Sequence, residues 1–325
     1  MNRRSFLSVT GCVLSALSWS AYSLQQRTYR IGYLHPTDAQ DVAAIAFRQT
    51  LRDYGYVVGQ NTILEERYAE TNIERLPALA AELVANRVDV IVAVSPTAIR
   101  AARAATTTIP IVMAFSGDDP VNSGFAATLA RPGGNITGLT TVALDMAPKW
   151  LELLIELAPG LKTVAVLRSP GRVDHTAQIE AIRAVADARG IRLQTINVRG
   201  VDEYAEAFDA IAAAGSQAVI VLNGPEFVHN RFRLVGLVMK HRLPSAYQFV
   251  ELVTIGGLVS YGPNIAELSA RSVAYVDKIL KGANPAELPI EQPRKLFLVI
   301  NRKTATALGL TVSPALLLQA DQVIQ

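Results

Sequence analysis

Apolar positions along this chain follow two rhythms that take turns. Short unbroken apolar runs, the pattern of strands buried on both faces, each lead through a polar loop into a segment with apolar residues at helical spacing. The first round predicts a strand over 29–34, the loop His35-Pro36-Thr37-Asp38, and a helix over 39–54 that Asp38 caps and Gly55 closes. A strand over 62–68 precedes a helix over 72–86, where Pro77 is tolerable only near the first turn. A third strand over 88–94 runs through Ser95-Pro96-Thr97 into a helix over 98–105, and a fourth occupies 109–115. The unit recurs roughly every 25–30 residues, which predicts βαβ units and a parallel sheet.

After a Gly-rich stretch the pattern restarts. Helix 146–157, strand 163–167, helix 174–189 stopped by Gly190, strand 192–197, helix 202–214, strand 218–222 and helix 226–241 follow in turn. Strand 243–248, a short helix 249–255, strand 258–261, helix 266–280 closed by Gly282, strand 296–300 and helices 303–308 and 314–319 complete the chain. No sequence repeat links the two series, yet their matching order predicts two similar α/β lobes. Open parallel sheets hold ligands beyond the carboxyl ends of their strands, so the loops after strands are the candidate lining of a cleft.

The stretch 109–141 is the most informative. Ile109-Pro110-Ile111-Val112 opens a buried strand, and Ser116-Gly117-Asp118-Asp119-Pro120-Val121 is the polar loop at its end. Leu129-Ala130-Arg131-Pro132-Gly133-Gly134-Asn135-Ile136-Thr137-Gly138 reads as a tight crossing between lobes. With Gly256-Gly257-Leu258-Val259-Ser260-Tyr261-Gly262 and the block from Glu291-Gln292-Pro293 through 296–310, this combination resembles the substrate-binding proteins of ABC transporters, a family that includes binders of aromatic amino acids. The resemblance covers essentially all of the chain after its first 23 residues. It implies a type I periplasmic binding protein: α/β, two Rossmann-like lobes with parallel sheets, joined by a hinge of three crossings near 135–141, 247–257 and 288–295. Lobe 1 would then comprise 28–136 with 253–288, and lobe 2 would comprise 140–248 with 294–325. The resemblance further implies a small polar ligand, an amino acid or related carboxylate, held between the lobes, and an ABC permease as partner. A monomer is expected.

Within the predicted lining, Ser95, Pro96 and Thr97 open a helix, where hydroxyls and free backbone N–H groups suit a carboxylate. Plain capping by Ser95 serves equally. Asp119, of the Asp-Pro pair, can accept an ammonium or fold into an Asx turn. Asp118 beside it stands where the family commonly has a small neutral residue. Tyr33 and His35 end the first strand, and Ser116 and Thr140 flank the first crossing. The second series offers Ser169, Asn223, Tyr247 and Tyr261, the two tyrosines as stacking faces or as hinge packing. Arg168 is a further candidate, as partner of an acid or as a surface residue.

Composition narrows the chemistry. Half the residues are apolar and 18% charged, enough for a core. Of the net charge of +3, two come from Arg3 and Arg4, which leaves no basic face for nucleic acid. Residues 1–23 read as an export signal: paired arginines near a twin-arginine motif, an apolar stretch over 6–19 interrupted by Ser8, Thr10, Ser15 and Ser18, and Ala21-Tyr22-Ser23 at the cleavage position. A periplasmic location follows, with a lipid anchor at Cys12 in Val9-Thr10-Gly11-Cys12 as the alternative. Cys12 is the only cysteine, and the four histidines at 35, 175, 229 and 241 lack metal-ligand spacing, so no metal and no cofactor are expected. Gly32-Tyr33-Leu34-His35 breaks any dinucleotide fingerprint, and no P-loop or nucleophile elbow is present. No enzyme is expected. A ligand-sensing module on the same fold is the alternative reading, and an α/β enzyme the more distant one.

Overall fold

The computed structural model describes residues 27–170 and 172–325. The expected leader, with Arg3, Arg4 and Cys12, lies outside the described residues. The chain opens with β1 (Tyr29–His35), α1 (Val42–Asp53), β2 (Thr62–Tyr68), α2 (Leu76–Ala85), β3 (Val90–Val94), α3 (Ser95–Ala105), β4 (Ile111–Phe115) and β5 (Ile136–Gly138). Their five strands form a parallel sheet in the order β2-β1-β3-β4-β5.

The second series comprises α4 (Ala143–Leu157), β6 (Thr163–Arg168), α5 (Val173–Ala188), β7 (Arg192–Asn197), α6 (Tyr204–Ala213), β8 (Ala218–Val221), α7 (Pro225–His229), α8 (Arg231–Lys240), β9 (Ser245–Tyr247), α9 (Val250–Thr254) and β10 (Val259–Gly262). Helix α10 (Ile265–Leu280) returns to the first lobe. Then β11 (Phe297–Asn301), α11 (Arg302–Leu308), α12 (Pro314–Gln319) and β12 (Gln322–Ile324) complete the second. Its seven strands run β12-β11-β10-β9-β8-β6-β7, parallel except that β11 opposes β10. Among the described residues no helix is long and apolar enough to cross a membrane.

Strand alternation decides what each lobe buries. Ile31, Val90, Val92 and Val112 join Phe47 of α1 and Val276 of α10 in one cluster. Leu34, Ile91, Ala93 and Met113 point the other way, onto Leu83 of α2 and Ile99 of α3. The second sheet divides likewise, with Val164, Val166 and Ile220 under Trp150 of α4, and Ala165, Leu167 and Val219 under Phe208 of α6. Each lobe is therefore a sheet between two helical layers, and its central strands β3, β4 and β8 are apolar along their whole length, with polar residues following where their ladders end.

The structure departs from the expected elements at a few places. Asp41, not Asp38, caps α1 by accepting from Ala43 N at 2.9 Å, while Asp38 turns back on Gln40 N, so the helix starts later. Helix α4 starts earlier than expected, at Ala143, and carries Pro148 inside it. The helix expected over 226–241 breaks at Asn230, whose side chain donates to Glu226 O. Strands β5 and β12 are too short to carry a period.

One domain boundary moves. Residues 253–262 were expected in lobe 1, but β10 lies between β9 and β11 in the second sheet, and α9 buries Leu252 and Val253 in that lobe's core. Without β10, two buried strands would face each other with unpartnered backbone groups. The second crossing is therefore Gly262-Pro263-Asn264, downstream of 247–257. The first and third crossings bond to each other: Glu291 N donates to Gly138 O at 2.9 Å, Thr140 N to Glu291 O at 3.0 Å, and the Thr137 hydroxyl to Leu288 O at 2.7 Å.

Glycine is required at two of these crossings. Gly138 has φ +128°, and a Cβ there would lie 2.3 Å from Met113 O. At Gly262 an added Cβ would lie 2.1 Å from Gln248 O. Gly262→Ala is expected to lower the unfolding free energy by about 3 kcal/mol or more, through backbone displacement. Gly134→Ala, with no neighbour within 4 Å, should stay within about 0.5 kcal/mol of the parent in the same urea titration.

Candidate functional site

The carboxyl ends of the two sheets face each other across a cleft. Its pocket is lined by His35, Thr37, Asp41, Ser95 and Phe115 from the first lobe and by Asn223, Val228 and Phe249 from the second, and is open to solvent at its mouth. A smaller recess beside it is walled by Asn223, Phe227, Tyr247 and Gln248. The lobes are in contact: the rings of Phe115 and Phe249 meet edge to face at 6.4 Å, and Asp38 lies 3.1 Å from His229 Nδ1 at the rim.

His35 is the last residue of the β1 ladder, opposite Tyr68, and lines the pocket, 2% exposed. Its Nδ1 accepts from Thr37 N at 3.1 Å, which puts the ring hydrogen on Nε2. That Nε2 is buried, has no hydrogen-bond partner, and lies a long 3.5 Å from Asp41 Oδ1. Burial pushes the Asp41 carboxyl up, but His35, Ala43 N and Thr37 together hold it below the usual range. Tyr33 does not reach the pocket. It stacks behind His35 and against Phe47, with centroids at 5.7 and 4.7 Å, and belongs to the core.

Ser95 stands at the turn from β3 into α3 with φ +79°, a left-handed conformation unusual for serine. It does not cap the helix. The cap position is Val94 and no side chain fills it, while the Ser95 hydroxyl lies 2.9 Å from that of Thr97. Pro96 is buried in the first turn, where its missing N–H is of no consequence. The first N–H groups of α3 are left without a side-chain acceptor.

The loop after β4 corrects one expectation. Asp119 is exposed and its carboxylate accepts from Val121 N and Asn122 N at 2.8 and 2.9 Å, an Asx turn directed away from the cleft. Asp118 is the inward residue, 3% exposed, bonded through Oδ2 to Arg100, with Oδ1 buried and unpartnered. Burial and the nearby Asp174 carboxylate push the Asp118 carboxyl up against the pull of Arg100. Ser116 and Thr140 hold this loop to the first crossing: the Ser116 carbonyl accepts from Thr141 N at 2.8 Å and from the Thr140 hydroxyl at 3.2 Å.

On the second lobe, Ser169 follows β6 with its hydroxyl buried and unpartnered, and its N–H donates to His175 Nδ1 at 3.2 Å. His175 Nε2 in turn donates to the Asn223 carbonyl at 2.8 Å, tying the loops after β6 and β8 together. Arg168 stays on its own loop, against Thr176 and the Arg172 carbonyl. Arg172 is the buried cation, 7% exposed, paired with Asp174 at 3.0 and 2.5 Å. Glu226 is pushed up to about 6 by burial. Tyr247 walls the smaller recess with its hydroxyl unpartnered. Tyr261 lies elsewhere: its ring packs on the core under α4, and its carbonyl accepts from Trp150 Nε1 at 2.8 Å.

Of the expected residues the structure thus gathers His35, Ser95 and Asn223 at the main pocket, with Thr97 bonded to Ser95 and Tyr247 in the adjoining recess. Phe115, Phe249, Arg172, Asp174 and Glu226 were missed, and the sequence left open which of Asp118 and Asp119 faces the cleft. Phe115 ends a run read only as core, and nothing in the spacing of the charged residues signals that they meet.

Comparison with known proteins agrees with this architecture. The sequence profile of the family described as ABC transporter substrate binding protein matches residues 35–324. A tyrosine-binding protein of Clostridioides difficile is 25% identical over 291 residues, covering 89% of this chain and 82% of its own. Among solved structures, a conserved domain protein of Vibrio cholerae superposes with a TM-score of 0.84 at 25% identity, over 91% of this chain and 100% of its own. An ABC domain of Streptococcus pneumoniae in complex with L-Trp gives 0.82 at 26% identity, with the same coverage.

The His175 bridge makes stability depend on pH. Burial and the Arg172 cation push the imidazole down to about 4, whereas in the unfolded chain it titrates near 6.5. The neutral ring's contribution is therefore complete above about pH 6.5 and is lost as pH falls toward 4. Glu226 opposes it: a raised carboxyl adds stability at low pH that disappears as pH rises through about 6. The variant His175→Gln isolates the first effect. Its stability deficit relative to the parent should shrink by up to about 3 kcal/mol between pH 7 and pH 4, read from urea midpoints.

Proposed function

Because this chain belongs to the family of ABC transporter substrate-binding proteins, we propose that it is the periplasmic solute-binding component of an ABC importer and that its cleft captures one aromatic α-amino acid. The observation that carries this reading is a pocket built from both lobes at the ends of their strands, apolar through its middle and edged by the buried His35 Nε2, which lacks a partner. A ligand there touches both lobes at once, so its binding energy favours the shut arrangement over the open one, and only that difference drives closure. No bond is made or broken, and the closed pair of lobe surfaces is what the permease meets. The chain works as a monomer with one cleft, exported by the signal at its start.

The ligand class rests on two supports. Phe115, Phe249, Val94, Val228 and Ile265 offer an apolar slot suited to a ring. Two relatives carry the matching chemistry, one a tyrosine-binding protein and the other crystallised with L-Trp. In this arrangement the uncapped start of α3, with Ser95 and Thr97, receives the α-carboxylate. The His35 Nε2–H lines the slot, placed to donate to a polar group on the ring.

Thermal-shift and calorimetric titration against tyrosine, tryptophan and phenylalanine, with alanine, glutamate and glucose as contrasts, tests the reading. An aromatic amino acid at a hundred times its Kd should add about 2.7 kcal/mol of stability. A protein that ignores every amino acid and responds to the sugar would end it. Thr97→Ala should weaken aromatic amino acid binding by about 1–2 kcal/mol, the scale of one hydrogen bond to a charged group. Unchanged calorimetric affinity in that variant would remove the carboxylate assignment.

A further inference from the structure

Beside the apolar pocket, charged side chains from the two lobes meet. Asp118 comes from the loop after β4, Arg172 and Asp174 from the loop after β6 and the start of α5, and Glu226 from α7. Arg172 spends Nε and Nη2 on Asp174 and keeps Nη1 buried without a partner. Asp118 gives Oδ2 to Arg100, whose side chain is 42% exposed, and keeps Oδ1 buried without a partner. Glu226 Oε1 is the third such atom. The backbone makes room at Gly224, where a Cβ would lie only 2.4 Å from Glu226 Oε1, and Gly117 lies beside Asp174, where a Cβ would sit in ordinary contact 3.5 Å from its Oδ2.

An ordinary interlobe salt bridge would use these atoms on one another. Here one donor and two acceptors remain, and three carboxylates stand against two guanidiniums, so the group lacks one cation. Buried charges left in this state are costly unless a partner arrives. The complement of one N–H donor beside two carboxylate oxygens is a group with several N–H donors and an anion a few ångströms away. The head of an α-amino acid has that form.

We propose that Asp118 and Glu226, with the free Nη1 of Arg172, form a seat for the ammonium–carboxylate head of the ligand, assembled from both lobes only when the cleft is shut. This rests on the amino-acid reading above and assigns its ammonium to Asp118, which the sequence left open against Asp119, and to Glu226, which neither the sequence nor the comparisons single out. Asp118 belongs to one lobe and Glu226 to the other, so the ammonium cross-links them, while Arg172 and the start of α3 share the carboxylate. The raised carboxyls of Asp118 and Glu226 agree with a site short of one cation. In the absence of an amine, shutting the cleft buries excess negative charge, which favours the open form.

The test is calorimetry on the exported chain with L-tyrosine and L-tryptophan against their des-amino acids, 3-(4-hydroxyphenyl)propionate and indole-3-propionate, in the parent and in Asp118→Asn and Glu226→Gln. Removing the ammonium should cost the parent at least about 100-fold in affinity, because two buried carboxylates lose their partner. In Glu226→Gln that penalty should fall to about tenfold or less, the mark of direct coupling between the amine and this side chain. Ligand-free thermal midpoints of both variants should equal or exceed the parent's, since an excess charge is removed, whereas a structural ion-pair role would lower them. If Asp118→Asn does not fold, Glu226→Gln and the parent's analogue series carry the comparison. Des-amino acids binding within about threefold of the amino acids, or an undiminished penalty in Glu226→Gln, would overturn the seat while leaving an aromatic acid binder. If no α-amino acid binds, both the seat and the reading beneath it fall.

Discussion

A parallel strand buried on both faces can present a polar side chain only where its ladder ends. Val90–Val94 and Ile111–Phe115 are buried along their whole length, and each runs directly into its polar residues, Ser95 after the first and Ser116 with Asp118 after the second. The same holds for β6, which ends at Arg168 and hands on to Ser169 and Arg172, and for β8, which hands on to Asn223 and Glu226. Because the strands of each sheet that flank the cleft are parallel, all these ends lie on one edge. The chemistry of this protein is therefore concentrated by the same constraint that builds its two cores.

Joining two such edges face to face needs crossings that are both narrow and well bonded. Gly138 and Gly262 stand where one backbone runs against another, and the first and third crossings share hydrogen bonds through Glu291. Phe249 adds a second kind of link. It lies between β9 and α9, on the chain of the second lobe, yet is buried in the hydrophobic cluster of the first, against Phe115. Apolar contact at the floor of the cleft and the Asp38–His229 contact at its rim thus both join the two lobes, and a shift of either lobe changes both.

Electrostatics sets what that arrangement can hold. His175 and its two hydrogen bonds are satisfied within the protein, so the ring is a neutral strut between loops. Asp118, Arg172 and Glu226 each keep one buried polar atom without a protein partner. Hydrogen-bond completion therefore distinguishes these neighbours where burial does not, since both sets are buried.

Much of this was legible in the chain. Alternating apolar runs and helical spacing located nearly every element, because burial period is a local property that each segment carries by itself. The long Pro-Gly-Gly-Asn block identified the first crossing, and Ser95-Pro96-Thr97 the helix start that meets the cleft. What the chain could not declare was which neighbours face which way. Asp118 and Asp119 differ by one position, and the bonds of Ser116 to Thr140 and Thr141 decide which turns inward. Arg172 rather than Arg168, Tyr247 rather than Tyr261, and β10 in the second sheet rather than the first were settled by pairings between residues far apart along the chain. Local sequence fixes the period of burial, but the meeting of Asp118 with Glu226 exists only once two separately formed lobes have been packed edge to edge.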